Sequence, residues 1–245
     1  MIRTSFVAIA LLAAPAIALA QALPLQMERW AAQCNNNNRE YDANAARAAC
    51  TAIIRSDNAS SGARAFAYRQ RGAVRLEQGD VEGALGDFGS AIRHNPHFTA
   101  AYISRASVYE AQRDYDRALL DYDQVLRIAP DFGPAYNARC WLKTLSGRDL
   151  ISARSDCDRA IDMGVGANAY DTRGLLNLRS GQFEAAWADY DRAVTLSPAS
   201  AHQLYGRGLA ALGLGREEAG RADIAAAIAL DAAVAGAYQT YGFVP

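Results

Sequence analysis

AFAYRQRGAVRLEQGDVEGALGDFGSAIRHNPHF, residues Ala65 to Phe98, decides how the rest of the chain is read. Counted from Ala65, residues Tyr68, Gly72, Ala84, Phe88, Ala91 and Pro96 stand at places 4, 8, 20, 24, 27 and 32. Between the two runs, Gly79-Asp80 reads as a helix stop followed by the N-cap of the next helix. The window that follows directly, Thr99 to Phe132, has the same length and repeats the order with Tyr102, Ala106, Ala118, Tyr122, Val125 and Pro130. One match is a weak signal; two in phase make a period.

That order resembles the tetratricopeptide repeat, a helix–turn–helix unit with a period of about 34 residues. The resemblance extends outward in both directions, over repeats at 27–60, 65–98, 99–132, 133–166, 167–200 and 201–234. In the first, Trp30, Cys34, Ala46 and Cys50 take the signature places, and Asn35 to Asn38 should end its first helix early. Ser60-Ser61-Gly62 reads as a lengthened loop before the second repeat, with Ser61 to Arg64 as extra residues. The fourth repeat carries one extra residue in the turn Gly147–Ser152. The sixth is weaker, with Leu204, Ile224 and Ala232 replacing the two aromatics and the proline. The fold class implied is all-α, a solenoid of about six repeats in a right-handed superhelix. Residues 235–245 begin a seventh helix with Tyr238 and Gly242, expected to cap the exposed end.

The N-terminus has a different pattern. Arg3 precedes an apolar run from Phe6 to Ala14, then Pro15 and the small-x-small triplet Ala18-Leu19-Ala20. This is the pattern of a secretory signal peptide over residues 1–20, leaving a repeat domain over 21–245, with cleavage after Ala22 as the runner-up. The apolar run is short for the roughly 20 residues that span a bilayer, so an uncleaved anchor is the lesser reading. The expected location is the periplasm, with no membrane span after cleavage. At 51% hydrophobic residues the chain can build a sizeable core, and a net charge of −1 argues against a general nucleic-acid binder.

Arg71, Arg105, Arg139, Arg173 and Arg207 recur once per repeat, always at place 7. Asp87, Asp121, Asp189 and Asp223 stand at place 23 of the same repeats, and Asp156 stands one place later, behind the insertion in repeat four. In a hairpin turning near place 15, places 7 and 23 lie side by side, so Arg–Asp pairs are expected within a repeat or across to its neighbour. Repeat one lacks both residues, having Gln33 and Ala49 instead. The alternative is a track of arginines for phosphate or carboxylate, which the matching acids disfavour.

Cys34 and Cys50 occupy places 8 and 24 of repeat one, and Cys140 and Cys157 the same signature places of repeat four. In the resembled hairpin these places face each other at close approach. With an even count in an exported chain, the expected disulfides are Cys34–Cys50 and Cys140–Cys157. A redox or metal pair is the alternative, without C-x-x-C spacing to support it. Asp121-Tyr122-Asp123, Asp156-Cys157-Asp158 and Asp189-Tyr190-Asp191 look like D-x-D metal motifs. They fall on helices, where residues i and i+2 do not face each other. No hydrolase, P-loop, zincin or dinucleotide fingerprint occurs. Neither an enzyme nor a cofactor or metal is expected.

What the resemblance implies is a concave groove lined by first helices, binding a protein or peptide segment. Its residues here are Phe66, Arg69, Leu76, Ile103, Asn137, Trp141, Leu145, Asp171, Leu175, Leu178, Arg179, Tyr205 and Leu209. The lysine–asparagine pattern of family members that clamp a C-terminal carboxylate is absent. The floor centres on Trp141, Leu175 and Leu209, an anchor site for an extended or helical segment. Two alternatives stay open: the chain's own ends fold over this floor, or it self-associates as a structural solenoid and homo-oligomer without an external ligand.

Overall fold

The computed structural model describes residues 25–36 and 40–243, and the regular structure in them is helical throughout. The N-terminal apolar run and its cleavage sites lie outside the described residues. The helices are α1 (25–35), α2 (Ala43–Arg55), α3 (Ser61–Glu77), α4 (Val81–His94), α5 (Thr99–Ala111) and α6 (Tyr115–Ile128). After them come α7 (Gly133–Ser146), α8 (Leu150–Asp162), α9 (Ala167–Arg179), α10 (Phe183–Leu196), α11 (Ala201–Gly213), α12 (Glu217–Leu230) and α13 (Val234–Thr240). Two compact units divide within α5, one running to Arg105 and the other starting at Ala106.

In the first unit, α1 stops at residue 35 and Asn36 turns left-handed at φ 38°. The Asn36 amide then brackets the backbone of Tyr41, donating to its carbonyl at 2.8 Å and accepting from its N–H at 2.9 Å. The expected loop at Ser60-Ser61-Gly62 is not a loop. Ser60 is the N-cap of α3, its hydroxyl accepting from the Ala63 N–H at 3.1 Å, and the extra residues form an added first turn. Serine's preference for the cap outweighed the glycine two residues on. Gly79, at φ 80°, and the Asp80 cap then start α4.

In the second unit, α7 with α8, α9 with α10, and α11 with α12 form antiparallel hairpins, and α7, α9 and α11 pack side by side. Places 8 and 24 meet at the closest approach inside each hairpin. A Cβ on Gly174 would lie 2.8 Å from the Tyr190 ring, so this ring packs directly on the glycine. Repeat four fills the same contact with the disulfide Cys140–Cys157, Cα atoms 5.4 Å apart. In the first unit, Gly72 lies under Phe88 and Cys34–Cys50 is joined with Cα atoms 4.7 Å apart. All four cysteines are buried.

The C-terminal helix does not extend the stack. Tyr136 and Tyr238 both stand at place 4, but Tyr136 donates to the Pro130 carbonyl in the loop before its own helix, at 3.1 Å. The Tyr238 hydroxyl instead reaches the His202 carbonyl on α11, at 3.0 Å, and the Tyr190 hydroxyl on α10, at 3.2 Å. The outer side of α12 keeps Ile228 exposed.

Candidate interaction site

Three of the repeated arginines, Arg139, Arg173 and Arg207, form a ladder with two acids per rung. In the second unit Arg173 meets its own repeat's Asp189 through two hydrogen bonds, from Nε at 3.0 Å and Nη2 at 2.7 Å. Its Nη1 turns to Asp158 of the preceding repeat, at 2.7 Å. Arg207 does the same with Asp223, at 2.7 and 2.8 Å, and with Asp191 at 2.8 Å. Arg139 meets Asp156 through Nε and Nη2, and Asp123 through Nη1 at 2.8 Å. The two acids of Asp156-Cys157-Asp158 therefore serve successive arginines, as do those of Asp189-Tyr190-Asp191. Among the described residues no cluster of three or more His, Cys, Asp or Glu is placed to hold a metal.

Asp156 and Asp189 also receive a third donor from one turn further along the first helix, Lys143 at 2.7 Å and Asn177 at 2.8 Å. Arg173 and Arg139 lie over the rings of Tyr170 and Tyr136 three residues back, at 5.8 and 5.6 Å. Asp189 and Asp158 hold the Arg173 guanidinium well above its ordinary pKa, the hydrogen bond to Asp189 foremost. In the first unit Arg71 pairs with Asp87 at 2.7 and 2.8 Å, and Thr51 at 3.2 Å stands where the second acid would be. Arg105 and Asp121 belong to different units; Arg105 lies over Tyr102, and Asp121 is buried.

Of the expected groove residues in the first unit, Phe66 and Ile103 are half-buried and Leu76 is exposed. Arg69 is half-buried as well; its Nε donates to Ser104 at 3.2 Å, and burial pulls its pKa below the ordinary value. It borders an open cavity of about 440 Å³ with Asn35, Tyr41, Gln70 and Glu77.

The second unit brings the remaining residues together beneath the chain's own tail. Leu175, Leu178, Tyr205 and Leu209 are buried in one core with Val234 and Tyr238, and Trp141, Leu145, Tyr241 and Phe243 pack on its margin. Trp141 Nε1 donates to Glu110 at 2.8 Å, and its ring meets Tyr241 edge-on at 5.3 Å. Burial raises the Glu110 pKa, and the Trp141 bond opposes the shift. Arg179 donates to the Tyr241 carbonyl at 2.7 Å and lies over the Phe243 ring at 6.0 Å. Asp171 pairs with His202 Nδ1 at 3.0 Å, and Asn137 is half-buried one turn before Trp141. The sequence reading omitted Tyr241 and Phe243 from this face. Three aromatics within Tyr238–Phe243 were the available signal.

A face of parallel first helices, backed by second helices and locked by a periodic ion-pair ladder, defines an α-solenoid built from helical hairpins. More narrowly, the chain is a tetratricopeptide repeat protein. Family descriptions named tetratricopeptide repeat match residues 69–131 and, separately, residues 167–200. Solved structures of similar fold include a tetratricopeptide repeat protein from Parabacteroides merdae, with 18% identity, a TM-score of 0.71 and 88% of each chain covered. YrrB, described as a TPR protein with an unusual peptide-binding site, has 16% identity and a TM-score of 0.58 over 79% of this chain and 98% of its own. PilW, described as a type IV pilus biogenesis factor, has 18% identity and a TM-score of 0.63 over 68% and 77%. At these identities the likeness is one of fold. A comparison with curated proteins gave no match.

Proposed function

We propose that the chain is a non-catalytic interaction module that receives a segment of a protein partner on the concave face of its repeats, in the periplasm. The observation that carries this reading is the seated tail. Residues 234–243 lie on the face of α7, α9 and α11 with the Tyr238 ring buried, the Tyr241 and Phe243 rings half-buried and a backbone carbonyl held by Arg179, so this surface accommodates a peptide segment. The peptide-binding site named for YrrB is a precedent within the same fold. Two buried disulfides suit an oxidising compartment, and no described helix is long and apolar enough to cross a membrane.

A photo-crosslinking residue at Trp141 tests the reading in cells of the source organism. It should join the chain to one discrete protein in the periplasmic fraction, and the adduct should be absent when residues 1–20 are deleted. Adducts within the chain alone would refute it. A structural, self-associating solenoid is the second reading, favoured by the same tail, because another copy's tail has the same chemistry. Light scattering that shows a monomer at every concentration would dismiss it.

A further inference from the structure

We propose that the face under α13 binds a partner segment that copies the chemistry of this tail. The segment carries two tyrosines three residues apart and a further aromatic two residues on, with hydrogen-bond donors directed at Asn137 and His202. This rests on the groove reading above and names the ligand of that site.

The tail itself shows what the face recognises. Tyr238 enters between α10 and α11 and bonds to Tyr190 and His202, with its ring 4.8 Å from that of Tyr205. Tyr241 stands on Trp141, and Arg179 holds both its carbonyl and the following Phe243. Each contact answers to an aromatic ring, a hydroxyl or a carbonyl that any chain with the same spacing carries.

Two polar atoms on this face are left unserved by the tail. Asn137 Oδ1 and His202 Nε2 are buried with no hydrogen-bond partner among the described residues. His202 Nδ1 faces the Asp171 carboxylate at 3.0 Å, so in the neutral imidazole the ring hydrogen sits on Nδ1 and Nε2 keeps a lone pair. Both orphans are thus acceptors. A segment bringing an N–H or O–H to each makes hydrogen bonds that the tail does not, and buried acceptors left unpaired are costly.

The tail is also built to be displaced. α13 has seven residues with Gly236 inside it, too short to hold as a helix without its seat. Joined to α12 by a short connection, it competes as an intramolecular ligand at an effective concentration on the order of millimolar. A partner must exceed that competition, so its apparent affinity is lowered by the fraction of time the seat is filled.

The test uses the purified full chain and a labelled peptide of residues 234–243, VAGAYQTYGF, read by fluorescence anisotropy. The chain with Tyr238→Ser and Tyr241→Ser should bind it about tenfold or more tighter than the unaltered chain. Adding Trp141→Ala should remove that gain, and a peptide with serine at both tyrosines should not bind. Absence of binding by the tail variant, with its helical circular dichroism unchanged, would overturn the proposal, as would equal binding of the serine peptide. Concentration-dependent dimerisation of the unaltered chain, abolished in the tail variant, would make a second copy the occupant and overturn it too. If the tail variant ignores the peptide yet its residue 141 still crosslinks to a discrete partner, the groove reading stands and this inference fails alone.

Discussion

Replacing Arg173 by methionine tests the ladder most directly. Asp189 is 6% exposed, and of the three hydrogen bonds its carboxylate receives, two come from Arg173 and one from Asn177. Arg173→Met leaves a buried carboxylate with one donor, which should cost about 3–5 kcal/mol. The reverse deletion, Asp189→Asn, is milder. It leaves Arg173 with its side chain 24% exposed and still paired to Asp158, so about 1–3 kcal/mol is expected. The double variant should recover part of the loss, with a coupling on the order of 1–3 kcal/mol. Urea denaturation followed by circular dichroism reads these values if m stays constant. In melting temperature the arginine variant should fall by roughly 6–20 °C, at about 2–4 °C per kcal/mol for a domain of this size. Equal losses in the two single variants, adding without coupling in the double, would refute the reasoning.

Gly206→Ala should unseat the tail, because its Cβ would come within 2.2 Å of the Tyr190 ring and 2.5 Å of the Tyr238 hydroxyl. A loss of about 1–3 kcal/mol is expected, with faster hydrogen exchange in α13, and unchanged exchange there would contradict it. The pair Cys140→Ala, Cys157→Ala should cost about 3 kcal/mol for a loop of this length. A melting temperature indistinguishable from the parent's would mean that the bridge contributes little. Burial first, then neighbouring Asp171 and tyrosines, hold the Tyr190 and Tyr238 phenols well above their ordinary value. These acids stay protonated when seated and ionise when released, so their contribution is present below pH of about 10 and lost above it. Tyr238→Phe should therefore flatten the fall in melting temperature between about pH 9 and about pH 11. Gly89 stands where Asp123, Asp158 and Asp191 stand in later repeats, and a Cβ there would lie 3.6 Å from Arg93 Nη1 and 3.9 Å from Arg105 Nη1. Gly89→Asp should exceed Gly89→Asn in stability by about 0.5–1 kcal/mol, and equal values would show that no rung is added.

The period, the arginine–aspartate pairing and the cysteine partners were legible because each depends on places that a hairpin brings together by length alone. The second acid of each rung was not. Asp156 and Asp158, two apart on a helix, do not face each other, which left open what Asp158 does. It faces the next repeat's Arg173, and that partner appears only when one hairpin is laid against another. Ser61 to Arg64 show a smaller gap of the same kind, where a glycine suggested a loop and the Ser60 cap decided for a helix.

That the tail takes this seat has an energetic reason. In register, Tyr238 and Gly242 match places 4 and 8 of a further repeat, and local pattern alone extends the stack. The side of α12 that such a repeat would cover is mostly alanine, with Ile224 and Ile228 the larger side chains near it. The first-helix face instead presents Trp141, Tyr205, Leu175 and Leu209 beside Tyr190. Aromatic rings bury about 150–250 Å² each, which at about 25 cal/mol per Å² is worth roughly 4–6 kcal/mol for a ring as deeply buried as Tyr238. Three aromatics therefore gain more against an aromatic floor than against alanine, and the tail turns inward. Ordering the tail's backbone and side chains opposes that gain. A segment held by the difference is one that a better-matched ligand can replace, and the two unpaired acceptors on Asn137 and His202 show where a better match is available.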